Sequence, residues 1–192
     1  MEKHKIICIF GDSIVWGACD SEKGGWVERL KIDLAEKSEY NTIIYNLGIS
    51  GETTQELINR LNTEAKARNP DTIIFSIGIN DSHRPINLEV FEKNLQELIK
   101  KANKFTKKII FLGLNTVDES CQEVINKNYF NETIEKYDNI IKISCEKNKL
   151  NYIPLKNKIG IDDLDDGLHP NSEGHEKIFE KVREFLIKNK LI

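Results

Sequence analysis

Residues 5–17 read KIICIFGDSIVWG, an isoleucine-rich apolar run that stops abruptly on Gly-Asp-Ser. Four more runs of this kind follow: TIIYNL (42–47), DTIIFSIG (71–78), KIIFLGL (108–114) and NYIPL (151–155). Most are nearly continuous rather than alternating, the pattern of strands covered on both faces, as in parallel sheets. Between them, apolar residues recur at steps of mostly three and four. The sets are Trp26, Val27, Leu30 and Leu34; Leu57, Ile58, Leu61 and Ala65; Phe91, Leu95, Leu98, Ile99 and Ala102; Ile134, Tyr137, Ile141 and Ser144; and Ile178, Val182, Phe185 and Leu186. That spacing predicts five amphipathic helices. Strand–helix alternation of this kind predicts an α/β fold, a three-layer α/β/α sandwich around a parallel five-stranded sheet of flavodoxin-like order 2-1-3-4-5. TTQE at 53–56 reads as a capping box, with Thr53 as N-cap and Glu56 reaching back. The stretch 114–130, LNTVDESCQEVINKNYF, reads as the longest irregular segment, a length that often carries function.

Composition narrows the class. The 192 residues suit one domain, 1–192, with a sizeable core. A net charge of −3 gives no electrostatic reason to bind a polyanion, so no nucleic-acid partner is expected. No apolar run approaches a membrane span. The five-residue run near the N-terminus is too short for a signal-peptide core, so a cytoplasmic location is expected. The four cysteines, Cys8, Cys19, Cys121 and Cys145, form no Cys-x-x-Cys pair, and Cys8 and Cys145 read as small buried apolar residues.

In sheets of this type ligands bind beyond the carboxyl ends of the strands. The segments there are GDSIVWG after the first strand, NLGISGETT after the second, GINDSH after the third and GLNTVD after the fourth, with DDLDDGLHP before the last helix. Ser13 is the candidate nucleophile, and a serine hydroxyl needs a base that is itself oriented. Two histidines fall at the rim, His83 after GIND and His169 in DGLHP; His169 is the candidate base, because Asp166, three residues earlier, is spaced to hold its far nitrogen. Developing negative charge needs hydrogen-bond donors. The Ser13 N–H, the Gly48 N–H and the Asn80 side-chain amide are the candidates. Ile14, Trp16, His83 and Val117 are further candidates to line a substrate pocket.

These four blocks, FGDS, NLGISG, GIND and DGLHP, resemble the SGNH, or GDSL-type, hydrolase family in order and spacing, over about residues 5–188. The resemblance implies metal-free, cofactor-free hydrolysis of small-molecule carboxylic esters or thioesters, with Ser13, His169 and Asp166 as the triad. It implies Ser13, Gly48 and Asn80 as the oxyanion hole. Ile14 replaces the leucine of the GDSL name, a conservative change. Short loops after the first three strands suggest an open site for small or single-chain acyl groups. Two other readings use the same rim: acyl transfer to an alcohol other than water, and a non-catalytic flavodoxin-like binding module. Against the second, the chain has no Gly-x-Gly-x-x-Gly and no Ser/Thr-rich phosphate loop. Asp162, Asp163, Asp165 and Asp166 beside His169 also raise a metal site, but no second motif supplies the remaining ligands. The sequence does not mark an oligomeric state.

Overall fold

The computed structural model describes residues 4–36, 41–84 and 86–192. Five parallel strands, β1 (Lys5–Gly11), β2 (Thr42–Gly48), β3 (Thr72–Ser76), β4 (Ile109–Leu112) and β5 (Asn151–Ile153), form one sheet in the order β2-β1-β3-β4-β5. The order is the expected one. Each apolar run became a strand, trimmed where chemistry ends it. Pro154, which cannot donate to a ladder, follows the last residue of β5. β3 and β4 are buried along their whole length, whereas β2, on the edge, buries only Ile44 fully. The continuous apolar runs therefore belong to the middle of the sheet.

Helices cover both faces. On one, α2 (Trp26–Glu36) packs against the closing helix α8 (Ser172–Lys188). On the other, α3 (Thr54–Arg68), α5 (Leu88–Ala102) and α7 (Asn131–Asn148) run side by side. The capping box at α3 forms: the Thr53 N–H and hydroxyl both donate to Glu56 Oε2, at 2.8 and 2.7 Å. Three short helices, α1 (Ser13–Trp16), α4 (Ile79–His83) and α6 (Gln122–Asn126), lie in segments expected to be turns or loop. Each is four or five residues, too short for a periodic apolar face to show in the sequence. No helix among the described residues is long and apolar enough to cross a membrane.

Register carries the fold to the site. Phe10, Phe75 and Phe111 stand in one row across β1, β3 and β4, with ring centroids 5.9 and 4.8 Å apart. Each is almost wholly buried, and burying a phenylalanine contributes about 1.5–3 kcal/mol. One residue further toward the carboxyl rim the row reads Gly48–Gly11–Ser76. A Cβ on Gly11 would sit 2.1 Å from the Ser76 carbonyl oxygen, and one on Gly48 would sit 2.3 Å from the Trp16 nitrogen. Both positions must lack side chains for the chain to turn into α1 directly above the sheet.

Candidate active site

Ser13 is the first residue of α1. Asp12 caps that helix, its Oδ1 accepting from the Ile14 N–H at 3.0 Å. Asp12 is fully buried, and burial pushes its carboxyl up to about 7, with the nearby Asp81 and Glu52 charges adding to the shift and the Ile14 N–H opposing it. A first-turn N–H has no partner within its own helix. Among the described residues no hydrogen bond uses the N–H of Ser13.

The structure brings Ser13, His169 and Asp166 together across 156 residues of chain: Ser13 Oγ lies 2.9 Å from His169 Nε2, and His169 Nδ1 lies 2.7 Å from Asp166 Oδ2. Asp166 Oδ1 also accepts the backbone N–H groups of Leu168 and His169, at 3.0 and 2.8 Å. Burial raises the Asp166 carboxyl, but these N–H donors and the ring outweigh it and hold the group below its ordinary value. The ionised carboxylate can only accept, which puts the ring proton on Nδ1 and turns the Nε2 lone pair toward the serine hydroxyl.

The loop carrying the histidine is fastened on several sides. Leu164 and Pro170 form an antiparallel bridge, and the Asp165 N–H donates to the His169 carbonyl at 2.9 Å. Gly167 turns through φ +83°, a conformation that costs other residues. From the 114–130 segment, the Asp118 N–H donates to the Gly167 carbonyl (2.8 Å) and the buried Asn115 amide to the Leu168 carbonyl (3.1 Å). Asn115 and Asp118 were not singled out from the sequence. Their partners lie about fifty residues away, and no local pattern marks such a contact.

Asn80 lies in α4 with its amide orientation settled by its neighbours. Its Nδ2 donates to the Glu52 carbonyl at 3.0 Å, a group that can only accept. Its Oδ1 accepts from the Tyr129 hydroxyl at 2.9 Å. One N–H of the amide is then left over. Tyr129 is one of the apolar and aromatic residues, with Val117, Val124 and Phe130, that the sequence offers in the 114–130 segment as a wall or lid of the site; its hydrogen bond to Asn80 is the part the sequence does not mark. His83, at the end of the same helix, packs tilted against the Tyr129 ring with centroids 4.4 Å apart.

Gly48 is differently placed from the expectation. Its N–H donates to Asn46 Oδ1 at 3.1 Å, while Asn46 Nδ2 faces Glu28 at 3.4 Å. The backbone donor at Gly48 is therefore spent on its own strand end. Three residues on, the turn 49–52 closes through a Glu52 N–H to Ile49 carbonyl bond of 3.1 Å, with Gly51 at φ +77°. Among the described residues no hydrogen bond uses the Gly51 N–H. This turn is the one that Asn80 holds through the Glu52 carbonyl. Arg60 ties it from the other side, donating to Glu52 Oε1 at 2.5 Å and to the Leu47 carbonyl at 2.6 Å. Of the remaining pocket candidates, Trp16 is exposed at the end of α1, whereas Ile14 and Val117 are 5% and 1% exposed and pack into the core.

A parallel α/β/α sheet with a serine, an imidazole and a carboxylate in line at its carboxyl rim has the build of an ester-hydrolysing enzyme. The chain belongs to the GDSL-like lipase/acylhydrolase family, whose model matches residues 9–177. The esterase TesA of Pseudomonas aeruginosa is 24% identical over 180 residues, 92% of this chain and 85% of that protein. The structure of a lipase/acylhydrolase from Enterococcus faecalis superposes with a TM-score of 0.83 at 25% identity, covering 95% of each chain. An acetylxylan esterase from Geobacillus stearothermophilus has the same fold, with a TM-score of 0.77 at 21% identity over 97% of this chain and 94% of that one. It has been solved as separate catalytic mutants of a serine, an aspartate and a histidine.

Proposed function

We propose that this enzyme cleaves a carboxylic ester through an acyl-enzyme on Ser13. His169 Nε2 takes the hydroxyl proton as the serine oxygen attacks the carbonyl carbon. Asp166 stabilises the imidazolium and keeps the ring from turning. His169 then passes the proton to the leaving alcohol. Water, deprotonated by the same nitrogen, attacks the acyl group and restores the serine. The oxyanion is held by the Ser13 N–H, the spare Asn80 N–H and, because Asn46 occupies the Gly48 donor, the N–H of Gly51 in place of Gly48. The catalytic mutants of the acetylxylan esterase, at the same three residue types, support the assignment.

The observation that carries this reading is the unbroken hydrogen-bond line from Ser13 Oγ through His169 to Asp166 Oδ2. It is tested with p-nitrophenyl esters from acetyl to decanoyl. The parent turns them over, and Ser13→Ala lowers kcat by roughly 10⁴-fold or more. A Ser13→Ala protein as fast as the parent would sink the proposal. The chain-length profile reports which acyl group the site accepts.

A further inference from the structure

The Gly-Asp-Ser turn brings one more reactive side chain to the same place. Cys19 follows α1 at φ +66°, exposed, on the turn leading away from the nucleophile. One ligand atom each from Cys19, Asp166 and His169 lies within 4.8 Å of the other two. We propose that these three residues form an inhibitory binding site for a thiophilic divalent cation, zinc above all.

The donor set selects the metal. A thiolate, an imidazole nitrogen and a carboxylate oxygen suit zinc, whereas calcium and magnesium take oxygen ligands. Bonds of about 2.0–2.3 Å in a tetrahedron put ligand atoms roughly 3.3–3.6 Å apart. The Cys19 sulfur must therefore move in by about an ångström, which rotation of an exposed side chain can supply, and the Asp166–His169 pair, 2.7 Å apart, must open by roughly half an ångström to admit the ion, which breaks their hydrogen bond. Three protein ligands leave a fourth position for water.

Without metal the thiol is quiet. Partial burial and the Asp166 and Asp165 carboxylates beside it push the thiol up to about 11, so it is a poor nucleophile and a poor target for oxidants. The cation takes the place of that proton: the Cys19 S–H bond breaks, a zinc–sulfur bond forms and the proton leaves to solvent. The inhibitory half of the proposal rests on reading His169 as the base. A metal on Nε2 takes the lone pair that faces Ser13. A metal on Nδ1 displaces the proton held by Asp166. Either way the imidazole can no longer accept from the serine.

Two measurements test this. Co²⁺ added to the intact protein reads the site without any substrate, through thiolate-to-cobalt absorption in the near ultraviolet. The band is expected in the parent and in Cys121→Ser, and is lost in Cys19→Ser. Zn²⁺ added to the ester assay is expected to inhibit the parent reversibly, with activity restored by a chelator. With each protein's inhibition scaled to its own metal-free turnover, Cys19→Ser needs at least about tenfold more Zn²⁺ for half inhibition, since even loss of an outer-shell partner weakens metal affinity by that much. Absence of the band, its survival in Cys19→Ser, or equal Zn²⁺ inhibition of the two proteins would overturn the site. A band that depends on Cys19 without any inhibition would overturn the inhibitory half and count against His169 as the base, leaving the metal site standing.

Discussion

Two histidines stand six residues apart near the end of the chain, and the fold uses them in opposite ways. His169 faces a hydroxyl on one ring nitrogen and a carboxylate on the other. His175, inside α8, is completely buried; its Nδ1 accepts from the Trp26 N–H at 3.3 Å and its Nε2 donates to the Ala18 carbonyl at 2.9 Å. Both rings are fully hydrogen-bonded, so occupancy does not distinguish them. Partner chemistry does. Backbone groups neither release nor collect a proton at neutral pH, and burial lowers the His175 pKa, keeping that ring neutral. Its work is to join α8 to both ends of the 18–26 segment. A buried ion pair beside it does similar work: Arg29 contacts Asp20 at 3.0 Å and donates to Glu176 at 2.6 Å.

The comparison predicts a clean exchange of phenotypes. His169→Ala should lose roughly 10⁴-fold or more in turnover while unfolding at nearly the parent urea concentration. His175→Ala leaves a buried N–H and a buried carbonyl without partners, at about 1–3 kcal/mol each. Its unfolding midpoint should fall, while the folded fraction keeps its turnover within a few-fold. Urea titrations beside specific activities check both. A His175→Ala enzyme that folds normally and is dead would reverse the assignment.

Asn80 ranks next. Removing one oxyanion donor costs about 10²–10³ in kcat, and Asn80→Ala should fall in that range. A loss below about fivefold would take Asn80 out of the hole.

The two aspartates flanking the chemistry differ as the histidines do, and their difference shows in stability. Asp166 is held below its ordinary value by the donors around it. Asp12, with its carboxyl pushed by burial from 3.8 to about 7, is the reverse. Between those two values the folded chain keeps a proton that the unfolded chain has lost. Stability therefore falls as pH rises through that window, by up to roughly 1.4 kcal/mol per unit. Asp12→Asn keeps an oxygen for the Ile14 N–H and removes the slope. Urea unfolding at pH 5 and pH 8 should show the variant gaining on the parent at the higher pH. Parallel behaviour of the two proteins would mean that Asp12 is ionised in the fold.

What could be read from the sequence, and what could not, follows the distance over which each residue acts. The central strands β1, β3 and β4 were legible because burial on both faces writes itself into three to five consecutive apolar residues. Ser13 and the Asp166–His169 pair were legible because turn chemistry confines them to short blocks at strand ends. The donor role expected at Gly48 depended on where the Asn46 side chain would turn, and its Oδ1 takes the Gly48 N–H two residues on, a rotamer choice that the residue types do not fix. His175 looked like any helix residue, since its partners lie about 150 residues back. The 114–130 segment was legible as a length without regular pattern, and its contacts, from Asn115 to the histidine loop and from Tyr129 to Asn80, appear only once the fold closes.

Tyr129 gives the smallest effect and the sharpest test of that last point. Its hydroxyl donates to Asn80 Oδ1, so under the proposed mechanism it would act on the oxyanion only through the amide it holds, as a positioning residue. Tyr129→Phe keeps the ring that packs against His83 and removes one hydrogen bond, a net change of about 1 kcal/mol, or about fivefold in kcat. KM should not move, because the hydroxyl does not touch the ground-state ester. In an Asn80→Ala background the same change should have almost no further effect on kcat, since the amide it positions is gone. Additive losses in the double variant would show that Tyr129 contributes by another route, and an unchanged single variant would mean that the Glu52 carbonyl alone holds the amide in place.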